Sequence, residues 1–329
     1  MESTEKIFVA GHRGLVGSAI CRELERRGYR NLLLRSHGEV DLTDKTATLQ
    51  FFEGERPKHV FLAAAKVGGI VANDTYPADF IRENLEIQTN VIDAAYRVGV
   101  KRLLFLGSSC IYPKLCPQPI KEESLLTGPL EPTNRAYALA KIAGIEMCWS
   151  YNRQYGTQFL AAMPANLYGP GDNFDLKSSH VLPALIRKAA EALATGQASI
   201  TVWGTGTPRR ELLYSDDLAR ACVFLMNLPA ADFDPLIRAD EPPLINIGTG
   251  NDLTIHELAE LVCKVVGFDG ELVFDPSRPD GTPRKVLDVS RIQALGWHAE
   301  TSLEDGIRCV YETVKDLLIA NVATGVPSS

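Results

Sequence analysis

Cysteine is present without a pattern. The seven cysteines (Cys21, Cys110, Cys116, Cys148, Cys222, Cys263 and Cys309) are odd in number, scattered, and nowhere spaced as Cys-x-x-Cys. That argues against a disulfide framework and a cysteine-based zinc site and fits a reducing compartment, so no metal is expected. No apolar run is long enough to cross a bilayer as a helix, and no membrane partner is expected. The N-terminal MESTEKIFVAG lacks the basic-then-apolar layout of a signal peptide and the arginine and serine richness of a transit peptide, which points to the cytoplasm. Positive charge is not in excess: the 329 residues carry a net charge of −7. Such a surface repels phosphate backbones, so no nucleic-acid partner is expected, although a local basic pocket for a small phosphorylated molecule remains compatible with it. Internal repeats and low-complexity linkers are also missing, and glycine and proline are ordinary in number, which excludes collagen-like and disordered classes. With 45% hydrophobic residues the chain can bury a large core, in one domain or two.

The first half alternates short apolar runs with longer helical patterns. KIFVAG from Lys6, NLLLRS from Asn31, HVFLAAA from His59, RLLFLGSS from Arg102 and FLAAMPANL from Phe159 read as strands. Leu15–Arg27 and Ile81–Val98 read as helices between them. Apolar strands separated by helices predict a parallel sheet buried on both faces, a doubly wound α/β (Rossmann) fold. Beyond Gly169 the pattern loosens: YGPGDNF is a turn cluster, His180–Ala194 a helix, WGTGTPRRE a loop, LINIGTG a further buried strand, and SRPDGTPRK a polar loop. Thr254 and Glu257 have the spacing of a capping box. The expected division is a nucleotide-binding domain over 1–169 and about 211–250, a smaller substrate lobe over about 170–210 and 251–320, and a loose tail over 321–329.

Gly11-His12-Arg13-Gly14-Leu15-Val16-Gly17 directly follows the first strand and opens a helix. Glycines there permit a tight turn and close backbone approach to a pyrophosphate, which the helix N-terminus then faces with free N–H groups. The second strand ends in Leu34-Arg35-Ser36-His37, with no carboxylate before Glu39. A carboxylate at that point would bind the ribose 2′-hydroxyl of NAD. Arg13 and Arg35 instead favour a 2′-phosphate, hence NADP(H). Asp41 and Leu42 belong to the stretch expected to reach under the adenine.

Tyr137 and Lys141 stand four apart in the helical run RAYALAKIAGIEMCWSY, which puts them on one face. A lysine ammonium beside a phenol favours phenolate, and a phenol so tuned can exchange a proton with a carbonyl oxygen. Ser108 and Ser109, at the end of a strand, can help hold that oxygen.

The glycine loop, the strand-end serine and Tyr-x-x-x-Lys together resemble the short-chain dehydrogenase/reductase superfamily, and the long second half its extended, sugar-nucleotide branch. GHRGLVGSAI, AAAKVGGIVANDTYPADFI, LGSSCIYPK, EPTNRAYALAKIAG, SSHVLPALIRK and PDGTPRK are similar to the GDP-L-fucose synthase family. The resemblance runs from about Lys6 to Trp297. It implies an NADPH-dependent oxidoreductase with epimerase activity, which inverts C3 and C5 of GDP-4-keto-6-deoxy-D-mannose and reduces C4. It implies Ser108, Cys110, Tyr137, Lys141 and His180 as catalytic residues. For the cofactor it implies Gly11 to Gly17, Arg35, His37, Asp41, Leu42, Leu106, Gly107, Ser108, Ser109, Tyr137, Lys141, Pro164, Ala165, Asn166, Leu167 and His180. For the GDP-sugar it implies Lys188, Trp203, Arg210 and Asp280. Taken without the resemblance, Cys110 also reads as a small buried hydrophobe, His180 as a helix cap and Lys188 as a solvated charge. A homodimer is expected through the Ile81–Val98 and Arg135–Tyr155 helices, with Met147, Trp149 and Tyr151 as contacts. NAD-retaining epimerases and dehydratases share the fold but lack the Cys110/His180 pair, and a catalytically dead NADP-binding protein would lack Tyr137 and Lys141.

Overall fold

The computed structural model describes residues 1–176, 178–278 and 280–324, the side chains of 321–324 excepted. Along the chain come β1 (Ile7–Ala10), α1 (Leu15–Arg26), β2 (Leu32–Leu33), α2 (Lys45–Glu55), β3 (His59–Leu62), α3 (Ile70–Thr75), α4 (Pro77–Arg97), β4 (Arg102–Leu106), α5 (Arg135–Tyr155) and β5 (Phe159–Pro164). Then follow β6 (Asn166–Tyr168), α6 (Val181–Thr195), β7 (Ser199–Trp203), β8 (Arg209–Tyr214), α7 (Ser215–Asn227), α8 (Ala230–Phe233) and β9 (Leu244–Ile247). The last elements are β10 (Asp252–Thr254), α9 (Ile255–Val266), β11 (Glu271–Asp275), β12 (Arg284–Lys285), α10 (Ser290–Ala294) and α11 (Leu303–Thr324).

Six strands form one parallel sheet in the order β2-β1-β3-β4-β5-β9. Every residue of β1, β3, β5 and β9 is buried, which is why their sequences are apolar without alternation. The cover comes from α1 packed with α7, and from α4 packed with both α2 and α5. This is the doubly wound fold the sequence predicts. Strand order reverses between β1 and β3, and in such sheets the ligand crevice lies outside the carboxyl ends at that point. There β1 delivers Gly11 and β3 delivers Ala63 and Ala64.

The second lobe has its own core, built from α6, α9 and α11 against β7 and β8. β8 pairs with β6, β10 and β12, while β11 pairs with β7. β8 is the seam between the lobes: Leu213 packs in the first core, Leu212 and Tyr214 in the second. Leu287, Val289, Ile292 and Trp297 also return to the first core, from within the stretch expected in the substrate lobe. Thr254 and Glu257 form the expected capping box at the start of α9. α11 reaches Thr324, and residues 325–329 of the expected tail lie outside the described residues.

Four sequence expectations change. FLAAMPANL is two strands, because the chain leaves the first sheet at Ala165 and joins β8 from Asn166 on; both sheets bury apolar side chains, so composition does not mark the switch. NLLLRS contributes only Leu32 and Leu33, at the sheet edge, where one neighbour suffices. The RRE of WGTGTPRRE begins β8: Glu211 is buried and Arg209 is bonded to Asp252, so these polar residues are satisfied inside a sheet. The polar loop near the end contains β12.

Candidate active site

The glycine loop is a cradle by steric necessity. Gly11 has φ +82°, and a β-carbon there would lie 2.7 Å from the Ala64 backbone nitrogen. A β-carbon on Gly17 would lie 2.1 Å from the Gly11 carbonyl oxygen. The loop therefore closes on β3 at the switch point, and α1 starts at its far side with Gly14 as N-cap and no side chain capping it. The first-turn amides, including those of Leu15, Val16 and Gly17, are the N–H groups a helix leaves unpaired, and no acidic residue sits in that turn to compete with an anion. His12 adds a buried Nδ1 without a hydrogen-bond partner; burial and the neighbouring Arg13 lower its pKa. Arg13 itself is exposed. These features fit a pyrophosphate.

Beyond β2, Arg35 donates to Glu55 Oε1 (2.8 Å) and to the Leu34 carbonyl (3.0 Å), and lies over the Phe51 ring. Its guanidinium is thus held in place on an aromatic face, with Glu55 shared between it and Lys6. His37 is exposed, 3.6 Å from Asp41. The Asp41 carboxylate accepts from the Thr43 hydroxyl and N–H, which lowers its pKa, and Asn90 holds the Leu42 carbonyl.

The carboxyl end of β4 and the first turns of α5 bring Ser108, Cys110, Tyr137 and Lys141 together. Leu106 ends β4, Gly107 donates to the Ala162 carbonyl on β5, and Ser108 caps a short 3-10 turn over Ser109–Ile111 by accepting from the Cys110 N–H (3.3 Å). The Ser108 hydroxyl lies beside both the Cys110 thiol and the Tyr137 phenol and lowers the pKa of each against the larger effect of burial. Lys141 is buried; its Nζ donates to the Leu106 carbonyl (2.8 Å) and lies over the Tyr137 and Phe105 rings. Burial lowers its pKa to about 8. The expected lowering of the phenol by Lys141 is not what the structure has. Burial dominates and pushes Tyr137 well above the usual tyrosine range, because Lys141 is bonded to a backbone carbonyl instead of the phenol. Tyr137 is therefore a neutral O–H, suited to donate.

His180 is the N-cap residue of α6, but its ring makes no capping bond. It is exposed to solvent yet crowded by protein, and burial together with Lys285 lowers its pKa. Of the remaining residues expected at the cofactor, Pro164 ends β5, Ala165 donates to the Ile247 carbonyl, and Asn166 and Leu167 lie on β6 beside β8.

Of the residues expected to hold the GDP-sugar, Lys188 Nζ donates to the Thr201 carbonyl (2.7 Å) and lies over the Trp203 ring, with Arg278 over that ring as well. Arg210, on β8, is mostly shielded from water, which lowers its pKa; it donates to the Asp280 carbonyl. Asp280 is occupied: its carboxylate accepts from the Thr205 N–H (2.8 Å) and hydroxyl (2.9 Å), tying its loop to the turn after β7. Pro279, in the quoted PDGTPRK motif, lies outside the described residues. Sequence inspection missed Lys285, which lines a small cleft with Cys110, Ser109, Asn134 and Arg284. Its signal was its place at the end of the PDGTPRK motif, in what reads as a polar loop. Asn134, in EPTNRAY, offers a buried side-chain oxygen without a partner to the same cleft.

Residues 7–248 match the model of the NAD dependent epimerase/dehydratase family. A putative GDP-L-fucose synthase 2 of Arabidopsis thaliana is 57% identical over 95% of this chain and 92% of its own length. The GDP-L-fucose synthase of Escherichia coli K12 is 55% identical over 94% and 96%. The chain belongs to the GDP-L-fucose synthase family. Among solved structures, a GDP-mannoheptose C4 reductase from Campylobacter jejuni with NADP bound is 43% identical, covers 96% of this chain and 99% of its own, and superposes with a TM-score of 0.87.

Proposed function

We propose that this chain makes GDP-L-fucose from GDP-4-keto-6-deoxy-D-mannose by inverting C3 and C5 and then reducing C4 with NADPH. The carrying observation is that the reductase group (Ser108, Tyr137 and Lys141) shares one site with a thiol, Cys110, in a family member more than half identical to GDP-L-fucose synthases. C3 and C5 both flank the C4 ketone, so one carbonyl acidifies both protons. Cys110 as thiolate takes the proton and His180 returns one on the other ring face. Ser108 and Tyr137 donate hydrogen bonds to the enolate oxygen that forms in between. NADPH, held by the Gly11–Gly17 loop and Arg35, supplies the hydride when bound. Tyr137 then gives its proton to the C4 oxygen, and Lys141, one turn on, supports the phenolate left behind. Arg210 and Lys188 oppose the diphosphate charge, with Trp203 beside them.

Among the described residues no helix is long and apolar enough to cross a membrane, and a cytoplasmic location is part of this proposal. A homodimer through α4 and α5 is the assembly these helices suit. Tyr151 is committed within the chain, bonded to Asp93 and ringed by Tyr96 and Tyr155, while Leu139 and Tyr155 are exposed on α5 and available to a partner. Sedimentation as a 36.0 kDa species at micromolar concentration would contradict it. The function is tested by incubation with NADPH and GDP-4-keto-6-deoxy-D-mannose, following nicotinamide absorbance and identifying the sugar. Consumption of NADPH with GDP-L-fucose as product is expected; no turnover would refute it.

A further inference from the structure

A buried thiol is a poor base, and burial alone pushes Cys110 up. Something in the site has to offset that, and Lys285 is a cation placed to do so. Lys285 ends β12, in register with Arg210 on β8. The chain after it is stapled to the segment that follows Cys110. Val286 donates to Gln118 Oε1 (2.9 Å), Ile120 donates to the Val286 carbonyl (2.8 Å), and Asp288 donates to the Ile120 carbonyl (2.8 Å). Glu211 completes the clamp, its buried carboxylate accepting from the N–H groups of Leu287, Thr249 and Gly250 (2.6 to 2.8 Å). Three amides thus saturate Glu211, while the neighbouring Arg284 is taken by Asp252. Lys285 has no ion-pair partner among the described residues, and it shares with Cys110 the wall of one narrow cleft.

We propose that Lys285 is a positioning residue for epimerisation, its ammonium holding Cys110 as the thiolate. The charged and titratable groups facing Cys110 are Lys285 from β12 and Lys141 and Tyr137 from α5, with the Ser108 hydroxyl beside it. Those facing Lys285 are Cys110, Cys116, Arg210, Glu211 and, ahead of α6, His180. Of the two cations near the thiol, Lys285 lowers its pKa more than Lys141 does; burial lowers the pKa of Lys285 itself, and the thiol offsets part of that by favouring the charged lysine. The same ammonium also lowers the pKa of His180, so it favours the deprotonated form of both proton-transfer groups. A thiolate is also the state a reactive cysteine needs for alkylation, which makes the proposal measurable without substrate or cofactor.

This rests on Cys110 being the epimerisation base, so the test separates the two. In the free enzyme, the rate of iodoacetamide labelling at Cys110 is followed by peptide mass spectrometry between pH 5 and 10, for the parent, Lys285→Met, Lys285→Arg and Arg284→Met. An opposite charge at close range moves a pKa by about 1 to 3 units. Lys285→Met is expected to move the labelling profile up by about one unit, slowing labelling near neutral pH about tenfold, while Lys285→Arg keeps it near the parent's. A Lys285→Met profile that coincides with the parent's overturns the proposal, as does an equal shift in Arg284→Met, which would make the effect one of general charge. Should Lys285→Met fold poorly, Lys285→Gln gives the same comparison, checked by its melting curve. Cys110→Ser, assayed for deuterium exchange at C3 and C5, tests the base separately: exchange that persists there removes the base assignment without altering the labelling result.

Discussion

Replacing Gly17 with alanine tests the cradle with a size that can be worked out from the structure. The new β-carbon would lie 2.1 Å from the Gly11 carbonyl oxygen, 2.6 Å from its carbon and 2.9 Å from the His12 Cα, whereas ordinary contact begins at 3.4 Å. All three atoms are backbone, so no rotamer relieves the clash, and the loop has to move by more than an ångström. Overpacking of that kind sits at the upper end of its usual penalty, about 3 kcal/mol. At roughly 2 °C per kcal/mol for a large chain, the melting temperature should fall by about 6 °C. Displacing phosphate-facing amides by about an ångström should weaken NADPH binding on the order of a hundredfold, the usual penalty for such misplacement in a site. Gly14→Ala is the control: its nearest contact would be 3.5 Å, and its φ of −78° suits any residue, so the ligand-free protein should lose no more than about 0.5 kcal/mol. Melting curves of the ligand-free variants and titration with NADPH measure both effects. A Gly17→Ala protein that melts with the parent and binds NADPH normally would refute the steric argument.

Tyr137→Phe should lower reduction by about 10²–10⁴-fold while C3 and C5 exchange suffers less, because Ser108 still polarises the ketone. Cys110→Ser should do the reverse, stopping exchange and leaving any residual hydride transfer to give an unepimerised GDP-6-deoxy-hexose of the D series; mass spectrometry of both products decides. Arg35→Ala should narrow the preference for NADPH over NADH in kcat/KM, and equal use of both cofactors by the parent would sink the 2′-phosphate argument. Lys141, lowered to about 8, should lose its charge as pH rises through that value, so single-turnover reduction should decline above about pH 8; a rate flat to pH 10 would contradict it. The stability sign is opposite: the unfolded lysine keeps its proton up to its ordinary value of 10.5, so between about 8 and 10.5 the unfolded state binds more protons and Lys141 contributes a rise in stability with pH.

The first sheet was legible because its strands are buried on both faces and the glycine loop sits at a fixed place in such folds. Tyr137 and Lys141 were legible because helical spacing puts them on one face and the glycine loop and strand-end serines set that pair apart from a chance surface pair. What stayed hidden depends on contacts between distant segments. Arg209, Arg210 and Glu211 look like loop residues until Asp252 and three backbone amides are seen to satisfy two of them. Lys285 lies in what reads as a polar, turn-rich loop, and only the pairing of β12 with β8 and the staple to Ile120 carry it beside Cys110. The sign of the Tyr137 shift was also out of reach, since spacing reveals the lysine but neither the burial of the phenol nor the Leu106 carbonyl that binds that lysine.

The most direct test of a single site performing both inversion and reduction is turnover of GDP-4-keto-6-deoxy-D-mannose with unlabelled NADPH in deuterium oxide. The account predicts GDP-L-fucose carrying carbon-bound deuterium at C3 and C5 and protium at C4. A C4-reduced product with no carbon-bound deuterium, and with C3 and C5 unchanged, would make the chain a simple C4 reductase and contradict the account.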